Sequence, residues 1–291
     1  MSGLLSPFRA AWRALPFTKE APPLVTVIEL HGAIGAAGPG RRTLSHRRLE
    51  KTIEAAFKPS NLAAVALSIN SPGGSAVQSR MIHNSIRRLA AEKKTPVLAF
   101  IEDVGASGGY ILAISGDEIF ADESSVVGSI GVIAAGFGFQ EAASRLGVDR
   151  RVHTAGKSKS MLDPFEAEKP EDVARLQAIL TTLHEQFIDL VKSRRGEKLG
   201  VQEDIFTGAF WTAPGAQERG LIDDFAQLDA ALRARFGENV RIKRCAPRGN
   251  SLAQRLFAGG EEAVDGSPPL LDPESLLGAV EQRALWARFG L

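Results

Sequence analysis

Two glycine-rich turns carry the residue types that acyl chemistry needs. The stretch EDVGASGGYILAIS (102–115) places Ser107 at the end of an apolar run, directly before Gly108 and Gly109. A serine between a buried strand and a helix would hold its hydroxyl near the backbone donors of the helix N-terminus. The Gly108 N–H is then the natural oxyanion donor, because it belongs to the residue after the nucleophile. A second turn, SINSPGGS (68–75), follows another apolar run. Pro72 fixes the bend, and Gly73 and Gly74 reach φ values closed to other residues. Their N–H groups would supply the other donor. Taken alone, each cluster is equally a plain strand-to-helix turn. Neither is a phosphate cradle, because Gly-x-x-x-x-Gly-Lys-Ser/Thr and a Gly-x-Gly-x-x-Gly after a strand are both absent.

Serine is a weak nucleophile without a base beside it. The histidines are His31, His46, His83, His153 and His184, and of these only His153 stands near an expected strand end. No acid is placed to orient it. A lysine serves instead when it is kept neutral, since desolvation disfavours the ammonium form. HTAGKSKSMLDPF (153–165) offers Lys157 and Lys159 in a Gly/Ser setting. Read in isolation, either is a solvated loop lysine. Ligand spacings such as His-x-x-x-His and Cys-x-x-Cys are missing, so no metal site and no cofactor are expected.

These residues must be positioned by a large core, which a chain of 291 residues with 44% hydrophobic content can build. From residue 24 onward, β-rich runs alternate with helical patterns. LVTVIEL (24–30), LAAVALSI (62–69) and TPVLAFIE (95–102) read as strands. SHRRLEKTIEAAF (45–57) and the segment with Val77, Ile82, Ile86 and Leu89 read as helices. DEIFA (117–121), IGVIAAG (130–136), a helix near 139–146 and a strand at RRVHTA (150–155) follow. The clearest helix is 170–195, opened by Pro170, Glu171 and Asp172 and striped by Leu176, Leu180, Leu183, Phe187 and Leu190. That stripe reads as core or subunit interface. The alternation predicts an α/β domain with mainly parallel strands over 24–245. Residues 1–23 read as an amphipathic segment that docks on its own domain or a sister subunit, with peripheral membrane contact as the second reading. Residues 246–291 read as a linker and an amphipathic helix.

The net charge of +1 gives no reason to expect nucleic acid as a partner, and the single cysteine, Cys245, gives none to expect an oxidising compartment. No run matches a secretory signal or a membrane span, so the expected location is cytoplasmic, or peripheral to the inner face of the membrane.

Taken in order, INSPGGS, EDVGASGGYILA, ADESSVVGSIGVI and HTAGKSKSMLDPF closely resemble the signal peptide peptidase A family of serine peptidases. The likeness continues through FTGAFWTAPGAQERGLIDDF (206–225). It implies a Clp-protease/crotonase-like fold of repeated ββα units, no cofactor, peptide or protein substrates, and assembly into homo-oligomeric rings whose sites a neighbouring subunit can complete. It implies Ser107 as nucleophile, Lys159 as general base and acid, Ser129 as the residue that orients the lysine, and Gly74 with Gly108 as the oxyanion hole. The family usually has an aromatic residue just before the lysine, where this chain has Ser158, so Lys157 stays open as the base. Many members carry an N-terminal membrane anchor, which this sequence is not expected to have. The implied activity is a Ser/Lys-dyad endopeptidase. A non-catalytic scaffold and an acyl-CoA-binding crotonase-like protein are the alternatives, the last weakened by serines where catalytic carboxylates belong.

Overall fold

The computed structural model describes residues 22–35, 43–245 and 283–290. The amphipathic segment expected at 1–23 and the linker expected after 245 lie almost wholly outside the described residues. Strands β1 (Leu24–His31), β2 (Leu62–Ser71) and β3 (Val97–Ala106) are parallel neighbours at the centre of one sheet. The sheet runs β6-β5-β3-β2-β1-β8, where β5 is Val126–Gly128, β6 Phe210–Thr212 and β8 Arg241–Cys245. Strand β4 (Glu118–Ala121) also pairs with β3 and carries β7 (Asp224–Phe225) on its other side. Among the described residues only the β5–β6 pair is antiparallel. This is the expected α/β architecture of the Clp-protease/crotonase type.

The central strands are continuous apolar runs because both faces are covered. Ile28, Leu30, Leu67, Ile69 and Ala99 face a large core under helices α1 (His46–Ala56), α2 (Ala76–Lys93) and α3 (Gly108–Ala113). Val27, Ala66, Leu98 and Phe100 face a smaller core closed by Leu232 of α7 (Leu228–Phe236). The two sets alternate along each strand, as the period of the pleat requires.

Between the two long helices the polarity pattern changes. Helix α4 (Gln140–Arg145) buries nothing, and 134–142 and 144–159 are exposed, Phe137 at 81% and Leu146 at 79%. The expected strand at 150–155 is an exposed coil, a correction with a simple cause: among the described residues no strand lies alongside to complete its ladder. Strand β5 ends at Gly128, and IGVIAAG (130–136) carries no regular secondary structure. Helix α5 (Pro170–Arg195) has the predicted bounds, and its buried apolar side chains, Phe187 and Val191, both lie in the C-terminal half. Val173 and Ile179 stay exposed. Residues 132–169 therefore form an arm leading to α5, and helix α6 (Ala213–Glu218) completes the chain's return toward β7.

His83 ties α2 to α3, its Nδ1 3.2 Å from the Ile111 carbonyl and 2.9 Å from Ser115 Oγ. Burial pushes its pKa down to about 4, opposed by the bond to Ile111 and aided by the Arg194, Arg87 and Arg80 charges. The unfolded chain thus binds a proton near pH 6.5 that the folded chain refuses until about 4. Stability is complete above that window and is lost as pH falls through it, by up to roughly 3 kcal/mol. Thermal melts are expected to show this slope, and His83→Asn to flatten it.

Candidate active site

Strand β3 does not stop gradually. It ends in Ser107, whose φ of 52° and ψ of −121° throw the chain straight into α3. A non-glycine residue held there costs about 1–3 kcal/mol and persists only because its surroundings over-determine it. Here the Ser107 N–H donates to Gly128 O at 2.8 Å, and the Ser107 carbonyl accepts from Tyr110 and Ile111. A Cβ on Gly109 would stand 2.3 Å from Ser71 O, so only glycine lets α3 press against β2. Such a strained strand-to-helix turn lifts a serine hydroxyl off the sheet.

The second turn packs directly against the first. A Cβ built on Gly108 would lie 3.3 Å from the Gly74 nitrogen, which makes the two N–H carriers neighbours. Gly73 is engaged on both sides: its N–H donates to Ser71 Oγ at 3.2 Å, and its carbonyl accepts from Ile34 N. Gly74 has φ +139°, and a Cβ there would meet Ile34 O at 1.9 Å. Among the described residues neither the Gly74 N–H nor the Gly108 N–H has an intramolecular acceptor. Helix α2 starts two residues after Gly74, capped by Ser75 Oγ accepting from Gln78 N, so its positive dipole end adds to these donors.

Ser129 follows β5 as Ser107 follows β3, and Ala106 is in register with Gly128. The two serines are therefore lateral neighbours. Ser129 also has positive φ, 53°, is buried, and donates its N–H to Ala209 O at 2.6 Å. Two hollows open on Ser107. One of about 370 Å³ is lined by Gly74, Gly108 and the apolar side chains of Val77, Ile111, Ile133 and Phe187, among others. The other, about 280 Å³, is lined by Ser129, His184, Thr207 and Arg288 beside Ser107. Among the described residues no cluster of His, Cys, Asp and Glu could hold a metal ion.

A profile for peptidase family S49 matches residues 89–240, more than half of the chain. The chain belongs to peptidase family S49. A Synechocystis protein named as a protease is 30% identical over 208 residues, 72% of each chain. The Arabidopsis thaliana chloroplastic serine protease SPPA is 31% identical over 67% of this chain and 28% of its own length. A Brucella melitensis protein named Na(+)/H(+) antiporter NhaA is 46% identical over 92% of this chain, which spans only 37% of that protein. No helix among the described residues is long and apolar enough to cross a membrane. Among solved structures, the 1510-N membrane-bound stomatin-specific protease, a lysine-to-alanine mutant with a substrate peptide, aligns at TM-score 0.50 and 18% identity. It covers 82% of this chain and 97% of that one, a likeness of fold.

In this S49 chain Lys159 sits on an exposed turn of the arm, its N–H donating to Gly156 O at 3.2 Å, and it lines neither hollow at Ser107. Lys157 and His153 are exposed on the same arm. The structure thus brings Ser107, Ser129, Gly74 and Gly108 together and leaves both lysines apart. Sequence reasoning missed three contributors. Leu180, Leu183, Phe187 and Leu190 form a wall of the larger hollow, so the α5 stripe serves the site as well as the core. His184 donates its Nε2–H to the Ile130 carbonyl, 3.1 Å away, and lines the smaller hollow. Arg288 belongs to the tail, whose Phe289 ring packs edge-on against Phe210 at 5.1 Å. The expected C-terminal helix thus places Arg288 and Phe289 beside the edge strand β6.

Proposed function

We propose that this S49 chain is a serine endopeptidase that cuts peptides or unfolded and membrane-derived protein segments with a Ser107/Lys159 dyad. The observation that carries the reading is the Ser107 turn, set beside two unengaged N–H groups and open to an apolar hollow. The amine of Lys159 takes the proton of Ser107 Oγ as that oxygen attacks a peptide carbonyl. The Gly74 and Gly108 N–H groups hold the oxyanion, and the lysine then protonates the departing amine. Water, deprotonated by the same lysine, releases the acyl group and restores the serine. Ser129 orients the lysine. Peptides as substrates agree with the substrate peptide bound to the 1510-N protease.

Lys159 reaches Ser107 in this reading when the arm is buried, by closing on its own domain or by docking on a neighbouring copy in a ring. Exposed Ile133, Phe137, Leu146 and Val148 support such an interface, since apolar patches of this kind mark association surfaces. Burial of the arm would supply the desolvation that a lysine base needs. Light scattering on the purified chain is expected to give an oligomer. Replacing Phe137 and Leu146 by aspartate is expected to yield a smaller, folded and inactive species. The proposed location is cytoplasmic or peripheral to the membrane.

The reading is tested by incubating the full chain with casein and apolar peptides and sequencing the products by mass spectrometry. New internal termini are expected. Their absence, together with coenzyme A binding by calorimetry, would favour the acyl-CoA alternative. Absence of both would favour a scaffold.

A further inference from the structure

The larger hollow at Ser107 has one charged residue in its lining, Arg80 of α2, and Gln186 of α5 lines it as well. Ala76, Val77 and Arg80 are spaced to share one face of α2, and all three line the hollow. Val77 is 63% exposed, an apolar side chain left open where substrate would lie. The other arginines of this helix are used within the chain: Arg87 pairs with Asp117 at 2.8 Å and Arg88 with Glu92 at 2.9 Å. Arg80 has no carboxylate partner among the described residues. An exposed guanidinium lining a mainly apolar hollow, near the positive end of α2, is set to receive a planar anion.

We propose that Arg80 is a specificity-determining residue that binds a carboxylate of the peptide substrate, close to the bond being cut. This rests on the peptidase reading above. A carbonyl held between Gly74 and Gly108 leaves one flanking side chain in the apolar hollow. Arg80 lies four residues along α2 from Ala76, roughly 6 Å of helix rise, which matches about two residues of extended peptide. The preferred substrate therefore has an apolar residue at the cut and an acid group within about three residues of it. That group is a Glu or Asp side chain, or the terminal carboxylate of a short peptide.

The test uses peptides in which Glu and Gln alternate at each position around an apolar cleavage site, and a second series ending in a free acid or an amide. At one position the wild-type chain is expected to favour Glu over Gln by about three- to ten-fold in kcat/KM. If the terminal carboxylate is the source, the same preference appears for free acid over amide. Arg80→Ala should bring the ratio to about one, Arg80→Lys should keep part of it, and Arg80→Glu should turn it toward Lys peptides. An undiminished ratio in Arg80→Ala, or no acid preference in the wild type, overturns the proposal. The same peptides, fluorescently tagged, are titrated against Ser107→Ala protein with and without Arg80→Ala. Equal affinity for acid and neutral peptides there also overturns it, whether or not anything is cleaved. Failure of cleavage alone counts against the peptidase reading and leaves the binding arm to decide on Arg80.

Discussion

Ser107→Ala is expected to lower kcat by about four orders of magnitude or more while leaving the protein as stable as before. The substitution removes one atom, Oγ, that makes no hydrogen bond within the described chain. The strained backbone is held by the Gly128 carbonyl and by the Tyr110 and Ile111 N–H groups, which alanine does not disturb. Alanine tolerates the φ of 52° no worse than serine does. Calorimetry should therefore find a change within about 0.5 kcal/mol. Peptide cleavage followed by mass spectrometry should find only residual turnover. A folded Ser107→Ala protein with more than about a hundredth of the wild-type rate would mean that another residue attacks the carbonyl.

Lys159→Ala is expected to cost nearly as much. A general base contributes about 10²- to 10⁴-fold by itself, and here it also activates the nucleophile, so the two act as a unit. The Ser107→Ala/Lys159→Ala pair should be no slower than Ser107→Ala alone. Lys159→Arg should fail to rescue, because guanidinium stays protonated and cannot accept the serine proton. Two neighbouring variants sharpen the assignment. Lys157→Ala should keep most of the activity, since it is the other lysine of the same turn. His184→Gln should lose only a few-fold, since its ring contacts the Ile130 carbonyl and shapes the 129–131 segment. A large loss in Lys157→Ala with a small one in Lys159→Ala would move the base two residues along the arm.

The parts of this fold that were legible are those where one pattern decides. Strands β1 to β3 are short, mainly apolar runs with β-branched residues, bounded by turn residues, and that combination favours buried strands. The bounds of α5 follow from Pro170 with its acidic first turn and from Arg194 and Arg195 in the last. The Ser107 turn was legible through its glycines, which are needed because α3 presses on β2 and the two donor turns touch. What stayed hidden depends on residues far apart in sequence. Strand β6 exists because Phe210 to Thr212 meet β5, and β7 because Asp224 and Phe225 meet β4. RRVHTA has the composition of a strand but no neighbour, so composition misled there. The stripe on α5 announces an apolar face without saying what lies opposite, and Leu180, Leu183, Phe187 and Leu190 face the hollow at Ser107. Arg80 and Arg288 look like any other surface arginine until the cavities are drawn.

The central claim is that Lys159 makes Ser107 reactive, and covalent labelling tests it without any assumption about substrate. A fluorophosphonate probe forms a bond from Ser107 Oγ to phosphorus as fluoride leaves, and its rate reports how readily the hydroxyl gives up its proton. Labelling of the assembled full-length protein, located by mass spectrometry, is expected at Ser107 in the wild type and to fall at least about a hundredfold in Lys159→Ala. Equal labelling of Ser107 in the two proteins would contradict the account.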